Sequence, residues 1–386
     1  MALDPETLNQ LLDTVSRFVA ERLRPIEARV AEEDRIPDEI VAEMRALGLF
    51  GLSIPEDYGG LGLTMAEEVQ VAFRLGRTSP AFRSLIGTNN GIGSQGIVID
   101  GTAAQKAAWL PRLASGEIIG SFCLTEPEAG SDAGSLRTAA RRDGGDFVIS
   151  GTKRFITNAP EAGLFTVFAR TDPSSRDARG VSAFLVEADR PGISLGSPDA
   201  KMGQKGAHTA DVIFDEVRVP AEAIIGGPER LNQGFRTAMK VLDRGRLHIS
   251  AVCVGVAERL IEDSLRYAME RRQFGQPIAE FQLIQAMLAD SRAEAYAARC
   301  MVEETARRRD AGQDVGTEAS CAKMFASEMV GRFADRAVQI HGGAGYIADY
   351  GVERFYRDVR LFRLYEGTTQ IQQLIIARNM IRDAGR

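Results

Sequence analysis

Leu164-Phe165-Thr166-Val167-Phe168-Ala169 is followed, after the turn cluster Asp172-Pro173-Ser174-Ser175, by Val181-Ser182-Ala183-Phe184-Leu185-Val186. Both runs are short and rich in β-branched and aromatic residues, with no helical period between them. Phe147–Ser150 and Asp211–Val217 have the same texture, and Asp143-Gly144-Gly145-Asp146 breaks the chain just ahead of the former. Strands that succeed one another without helices predict an antiparallel barrel or sandwich over residues 119–229.

On either side the pattern is helical. Asp4 before Pro5 is a helix start, a side-chain acceptor followed by a ring already set at helical φ, and Leu8, Leu11, Leu12, Val15 and Phe18 keep the helical spacing. Glu39–Leu47, Ala66–Leu75 and Ala103–Leu113 continue it, so residues 1–118 read as an all-helical N-terminal domain. Beyond Gly226-Gly227-Pro228, the apolar face of Ile249, Val252, Cys253, Val256 and Leu260 opens a run of long helices. It continues through Gln282–Asp310, Thr317–Ile340 and Thr369–Arg382. Residues 230–386 therefore predict an up-and-down four-helix bundle. The fold class is multidomain α+β.

The 386 residues are 44% hydrophobic and 26% charged, the composition of a globular protein with several cores. With 53 acids against 47 bases the formal charge is −6, and no window is strongly basic, which argues against nucleic-acid binding through phosphates. No apolar run approaches the ~20 residues that span a bilayer, and the polar start MALDPETLNQ is not expected to act as a signal peptide. Cys123, Cys253, Cys300 and Cys321 are scattered and only three histidines accompany them, so neither a disulfide framework nor a metal site is expected. The cysteines read as reduced packing residues, which fits a cytoplasmic location.

Gly91-Ile92-Gly93-Ser94-Gln95-Gly96 matches the dinucleotide fingerprint in letters only. That motif works between a strand and a helix in a βαβ unit, and here both flanks are helical; close packing is the expected role.

Three segments combine chemistry in an unusual way. Phe122-Cys123-Leu124-Thr125-Glu126-Pro127-Glu128-Ala129-Gly130-Ser131-Asp132 takes a strand end into a loop of small residues whose free amides can bind an anion. Lys153-Arg154-Phe155-Ile156-Thr157-Asn158 puts an aromatic two positions from a hydroxyl, suiting a flat heteroaromatic ring. Leu364-Tyr365-Glu366-Gly367-Thr368-Thr369-Gln370 holds a carboxylate on a turn just before a helix. Desolvated there, Glu366 would be a general base; solvated, it would be an acid favoured by the helix N-terminus.

With RRQFGQPIAEFQ at Arg271–Gln282 and QIHGGAGYIADYGVERFYRD from Gln339, these segments resemble the acyl-CoA dehydrogenase family over essentially the whole chain. The resemblance implies an N-terminal helical domain, a middle β-barrel and a C-terminal four-helix bundle, which agrees with the order read above, with FAD held between barrel and bundle. Phe122, Leu124 and Thr125 would line the flavin ring, Ser131 would reach the pyrophosphate and the substrate, Phe155 would stack and Thr157 would bond near flavin N5. Arg271, Gln273, Phe274 and Gln282, with Gln339, Gly342 and Gly343, would hold phosphates and adenosine across a subunit boundary, and Thr368 and Gln370 would lie close to the cofactor. His341 would be a spacer beside the adenosine.

The same resemblance makes Glu366 the base that removes the α-proton of an acyl-CoA thioester, while the β-hydrogen leaves as hydride to flavin N5. Its backbone N–H and a flavin ribityl hydroxyl would meet the thioester carbonyl. Some relatives carry the base near Leu242-Asp243-Arg244-Gly245-Arg246; at their position this chain has Gly245. Asp243, Arg246, Tyr365 and Gly367 match substrate-contacting positions. Phe82-Arg83-Ser84 is similar to Tyr-Arg-Ser of glutaryl-CoA dehydrogenases, which raises Arg83 as a partner for an acidic acyl chain; the hydroxyl accompanying that Arg falls at Gly87 here. The implied partners are an electron-transferring flavoprotein and further copies of the chain in a homotetramer. Oxidase relatives are usually longer at the C-terminus, binding or assembly relatives tend to be basic or to lack the base, and desulfinase relatives lack the Tyr-Glu-Gly carboxylate.

Overall fold

The computed structural model describes residues 2–175 and 177–385. Its N-terminal part is built from α1 (Pro5–Phe18), α2 (Glu27–Glu33), α3 (Asp38–Ala46), α4 (Met65–Leu75), α5 (Pro80–Thr88), α6 (Gln95–Asp100) and α7 (Ala103–Ala114). Local chemistry sets several of these starts. The Asp4 carboxylate accepts from the Glu6 and Thr7 amides, and Thr64 with Glu67 and Thr102 with Gln105 close reciprocal capping boxes. Leu12, Val15, Ile40, Met44, Phe50, Val71 and Phe82 bury the shared apolar face.

The middle part is one curled sheet of β1 (Gly120–Cys123), β2 (Ala139–Asp143), β3 (Asp146–Thr157), β4 (Leu164–Arg170), β5 (Val181–Glu187), β6 (Ile193–Leu195) and β7 (Thr209–Pro220). The pairs β2–β3, β3–β7, β4–β5 and β6–β7 are antiparallel, as the turn-separated runs predict. One pairing differs: β1 lies parallel to β4, with Gly120 opposite Leu164, and a single bridge of Ala139 to Arg170 is parallel as well. β1 enters straight from α7 and has no hairpin partner to turn it, so it takes the free edge of β4 in the direction the chain arrives. Phe165, Val167, Phe184, Val186, Val212 and Phe214 fill the inside of the curl.

The C-terminal part comprises α8 (Gly234–Glu270), a small hairpin of β8 (Arg272–Gln273) and β9 (Gln276–Pro277), α9 (Gln282–Asp310), α10 (Gly316–His341), α11 (Val352–Val359) and α12 (Thr369–Ala384). Ala295, Ala298, Ala319, Ala322 and Ala326 face inward, and such small side chains let the long helices approach closely. Helix α4 packs into the same core through Val69 and Phe73, tying the N-terminal part to the bundle.

The fingerprint-like glycines are a joint. A Cβ on Gly93 would stand 2.9 Å from the Gly120 backbone, so that glycine lets the turn after α5 lie against β1. All cysteines are free, Cys123 and Cys253 are buried, and Cys321 is half-buried. Cys300 corrects the packing expectation: it sits on the exposed side of α9.

Candidate active site

A cavity of about 520 Å³ opens between the sheet and the bundle. Phe122, Leu124 and Thr125 reach it from the end of β1 and Phe155 and Thr157 from β3; the Gly130–Gly134 loop, the α8 residues Phe235, Met239, Leu242 and Arg246, and the Tyr365-Glu366-Gly367 turn complete its walls. The sequence segments singled out for chemistry thus meet in one place. Phe155 and Thr157 do so through a β-bulge in place of a regular strand: the register slips between Lys153 and Ile156 and Phe155 takes φ 58°. The bulge turns the Phe155 ring outward, leaving it 60% exposed beside the cavity.

Glu366 stands on the opposite wall. Its backbone is left-handed at φ 55°, Gly367 follows at φ 86°, and the Thr368 hydroxyl caps α12 by accepting from the Ile371 amide. Although the residue is only half-buried, carboxylate Oε2 is shut off from solvent and has no hydrogen-bond partner. Burial raises the Glu366 pKa above the ordinary carboxylate value, while the nearby charges of Arg83, Arg246 and Lys323 oppose that rise. Its amide donates to none of the described residues. A Cβ on Gly245 would stand 2.4 Å from Glu366 Oε2, so the two positions proposed for a base across the family converge on one spot here.

Arg246 is buried, lines the cavity and pairs with Asp243 at 2.6 Å; Asp243 lies behind it, outside the lining, where burial raises its pKa. Arg83, raised from sequence as a partner for an acidic acyl chain, is buried. It makes no ion pair or hydrogen bond with the described residues, and a Cβ on Gly87 would stand 2.5 Å from its Nε.

The remaining expected cofactor residues lie elsewhere. Arg271, Gln273, Phe274, Gly342 and Gly343 line a second cavity of about 640 Å³, which shares no lining residue with the first. Gln282, Gln339 and Gln370 are exposed and line neither, and Thr368 is engaged as a helix cap. His341 stacks on Tyr267 with ring centroids 4.3 Å apart and donates Nδ1–H to the Ala337 carbonyl. His208 pairs with Glu161, and His248 with the buried Glu68.

Sequence reasoning missed two residues at the turn. Lys323 Nζ donates to the Gly367 carbonyl at 2.6 Å, and Gln372 Nε2 donates to the carbonyls of Glu366 and Gly367 at 3.0 and 3.1 Å. The available signal was a lysine on the inward face of α10 among Ala319, Ala322 and Ala326.

Family models for the acyl-CoA dehydrogenase N-terminal, middle and C-terminal domains match residues 5–117, 121–217 and 232–381. The chain is 39% identical to a 3-(aryl)acrylate reductase of Clostridium sporogenes over 97% of this chain and 98% of that one. It is 38% identical to the human mitochondrial short-chain specific acyl-CoA dehydrogenase over 98% of this chain and 91% of that one. Butyryl-CoA dehydrogenase from Megasphaera elsdenii has the same fold, with TM-score 0.94, 32% identity and 99% coverage of both chains.

The residues present fit the FAD that this family uses. The Phe155 ring, 60% exposed with the Arg154 guanidinium 4.3 Å from its centroid, offers a stacking surface at the cavity, and the amides of Ser131, Asp132, Ala133 and Gly134 donate to none of the described residues, leaving a cluster of N–H groups for a phosphate. Cavity, loop and domain order agree from end to end: the chain belongs to the acyl-CoA dehydrogenase family and is an FAD-dependent flavoprotein oxidoreductase.

Proposed function

We propose that the protein dehydrogenates an acyl-CoA thioester to the trans-2-enoyl-CoA, with Glu366 abstracting the α-proton. The observation that carries this reading is the Glu366 carboxylate, unpartnered at Oε2 and desolvated at the wall of the cavity. Desolvation strengthens it as a base, bringing it nearer to the weak carbon acid it must deprotonate. The unengaged Glu366 amide is a preset donor for the thioester carbonyl oxygen, which gains charge as the α-proton leaves. Bound FAD supplies the acceptor for the β-hydrogen and its electron pair.

In this reading Phe122, Leu124, Thr125, Phe155 and Thr157 hold the ring system and the Ser131 loop takes a phosphate. Arg271, Gln273, Phe274, Gln282, Gln339, Gly342 and Gly343 serve the rest of a cofactor site across a subunit boundary in a homotetramer, with Thr368 and Gln370 nearby. Arg246, held by Asp243, together with Tyr365, Gly367 and Ser131, orients the thioester. An electron-transferring flavoprotein is the proposed electron acceptor.

The test is anaerobic bleaching of the yellow protein by straight, branched and dicarboxylic acyl-CoAs. At least one ester should bleach the flavin band, and Glu366→Gln should stay yellow while bleaching about 10²- to 10⁴-fold more slowly. A colourless protein, or undiminished bleaching in the Gln variant, overturns the reading.

One observation favours a narrower substrate. Arg83 is a buried guanidinium without a counter-ion among the described residues, and its charge bears on Glu366, Tyr365 and His248. Burying an unpaired charge is costly, and a distal carboxylate on the acyl chain would relieve that cost with a charge-assisted bond. The absence of a hydroxyl at Gly87 does not weaken this, because the guanidinium itself fills the space a side chain there would need.

A further inference from the structure

Resting on the dehydrogenase reading, we infer that Lys323 is a positioning residue for the base. Its buried ammonium fixes the left-handed Glu366-Gly367 turn through the Gly367 carbonyl and sets a positive charge beside the Glu366 carboxylate.

Lys323 is fully buried in the N-terminal third of α10, and no carboxylate pairs with it among the described residues. Its hydrogen bond goes to the Gly367 carbonyl at 2.6 Å. A cation placed in a helix core is costly unless it is used. The turn it touches needs holding, since a non-glycine residue at φ 55° is strained. Gln372 grips the same two carbonyls from α12, so the turn is fixed from two helices at once.

Glu366 is faced by Arg83 from α5, Arg246 from α8 and Lys323 from α10. Lys323 is faced by Cys253 and Arg246 from α8, by Glu328 from its own helix and by Glu366. Arg246 is paired with Asp243, whereas Lys323 both touches the turn and carries unpaired charge. Burial lowers its pKa to about 8, so the ammonium is present at neutral pH and is lost as pH rises beyond that value.

The test compares Lys323→Met, which removes donor and charge, with Lys323→Gln, which keeps a donor alone. Holoenzymes are first matched for flavin spectrum and circular dichroism. Readouts are kcat, KM, the pH profile of kcat/KM, and exchange of α-deuterium from a 3-thia-acyl-CoA, whose sulfur at position 3 carries no hydrogen to lose. Lys323→Met should lower kcat and exchange by roughly tenfold or more with little change in KM. Its acid limb should move up by about one pH unit, because loss of a nearby cation disfavours the carboxylate. Lys323→Gln should regain part of kcat and keep the shifted limb. Should Lys323→Met not fold, Lys323→Gln supplies the profile, and Gln372→Leu should slow turnover with the limb unmoved. An unshifted limb with normal exchange in the Lys323 variants overturns the inference. Persisting exchange in Glu366→Gln instead overturns the base assignment on which it rests.

Discussion

Arg83 and Arg246 are both buried cations near Glu366, and their partners set them apart. Arg246 has Asp243 at 2.6 Å; Arg83 has no carboxylate within ion-pair reach among the described residues. If a substrate carboxylate fills that role, Arg83→Ala should lower kcat/KM for glutaryl-CoA by roughly 10- to 100-fold, the worth of one charged hydrogen bond. Butyryl-CoA should change far less. Parallel kinetics on the two esters check this, and equal losses on both exclude selection by Arg83. Glu366, Gly245 and Arg83 were legible in the sequence because each sits in a short string with its chemical neighbours. Lys323 was not: its partner Gly367 lies far along the chain, and a lone lysine on a helix reads as solvated until the helix is packed.

Strand β3 carries the aromatic wall of the site and also anchors it. Lys153 is fully buried, pairs with Glu126 at 2.8 Å and donates to the Leu124 carbonyl at 3.2 Å. Glu126 in turn accepts from the Arg137 and Thr138 amides, so this pair fixes both ends of the loop that contains Ser131. Removing one partner strands the other, and Lys153→Met should destabilise the protein by about 3 kcal/mol. Denaturation midpoints of Lys153→Met, Glu126→Gln and the double variant check this; the double variant should recover part of the loss. A simple sum of the two single effects would mean the residues act independently. The strands themselves were readable from composition and turn chemistry. The parallel β1–β4 pairing and the bulge at Phe155 were not, because register is set by a partner remote in sequence.

Across the whole molecule, domain order was legible because hydrophobic period changes sharply near Gly116 and again near Gly226. The joints between parts were not, since they are made by side chains from both sides. His208 is one such joint: it lies beside β7, bonds Glu161 on the sheet side and the Asp34 carbonyl at the end of α2, at 2.7 Å. The bond to Glu161 raises the His208 pKa above 6.5. Its contribution to stability is therefore fully present below pH 6.5 and is lost as pH rises through the raised value. Melting temperatures of the wild type and His208→Gln should differ most in mild acid and converge on the alkaline side; a constant gap would show that protonation plays no part. The two cavities likewise became visible only in three dimensions, and the residues that the resemblance assigns to one cofactor are divided between them. The left-handed turn at Glu366 has a consequence for how such a sequence changes over time. Glycine at that position would release roughly 1 kcal/mol of backbone strain. A lineage culled for robustness alone would thus drift toward a sturdier chain that has forgotten its reaction, and only selection on turnover keeps the carboxylate in its awkward seat.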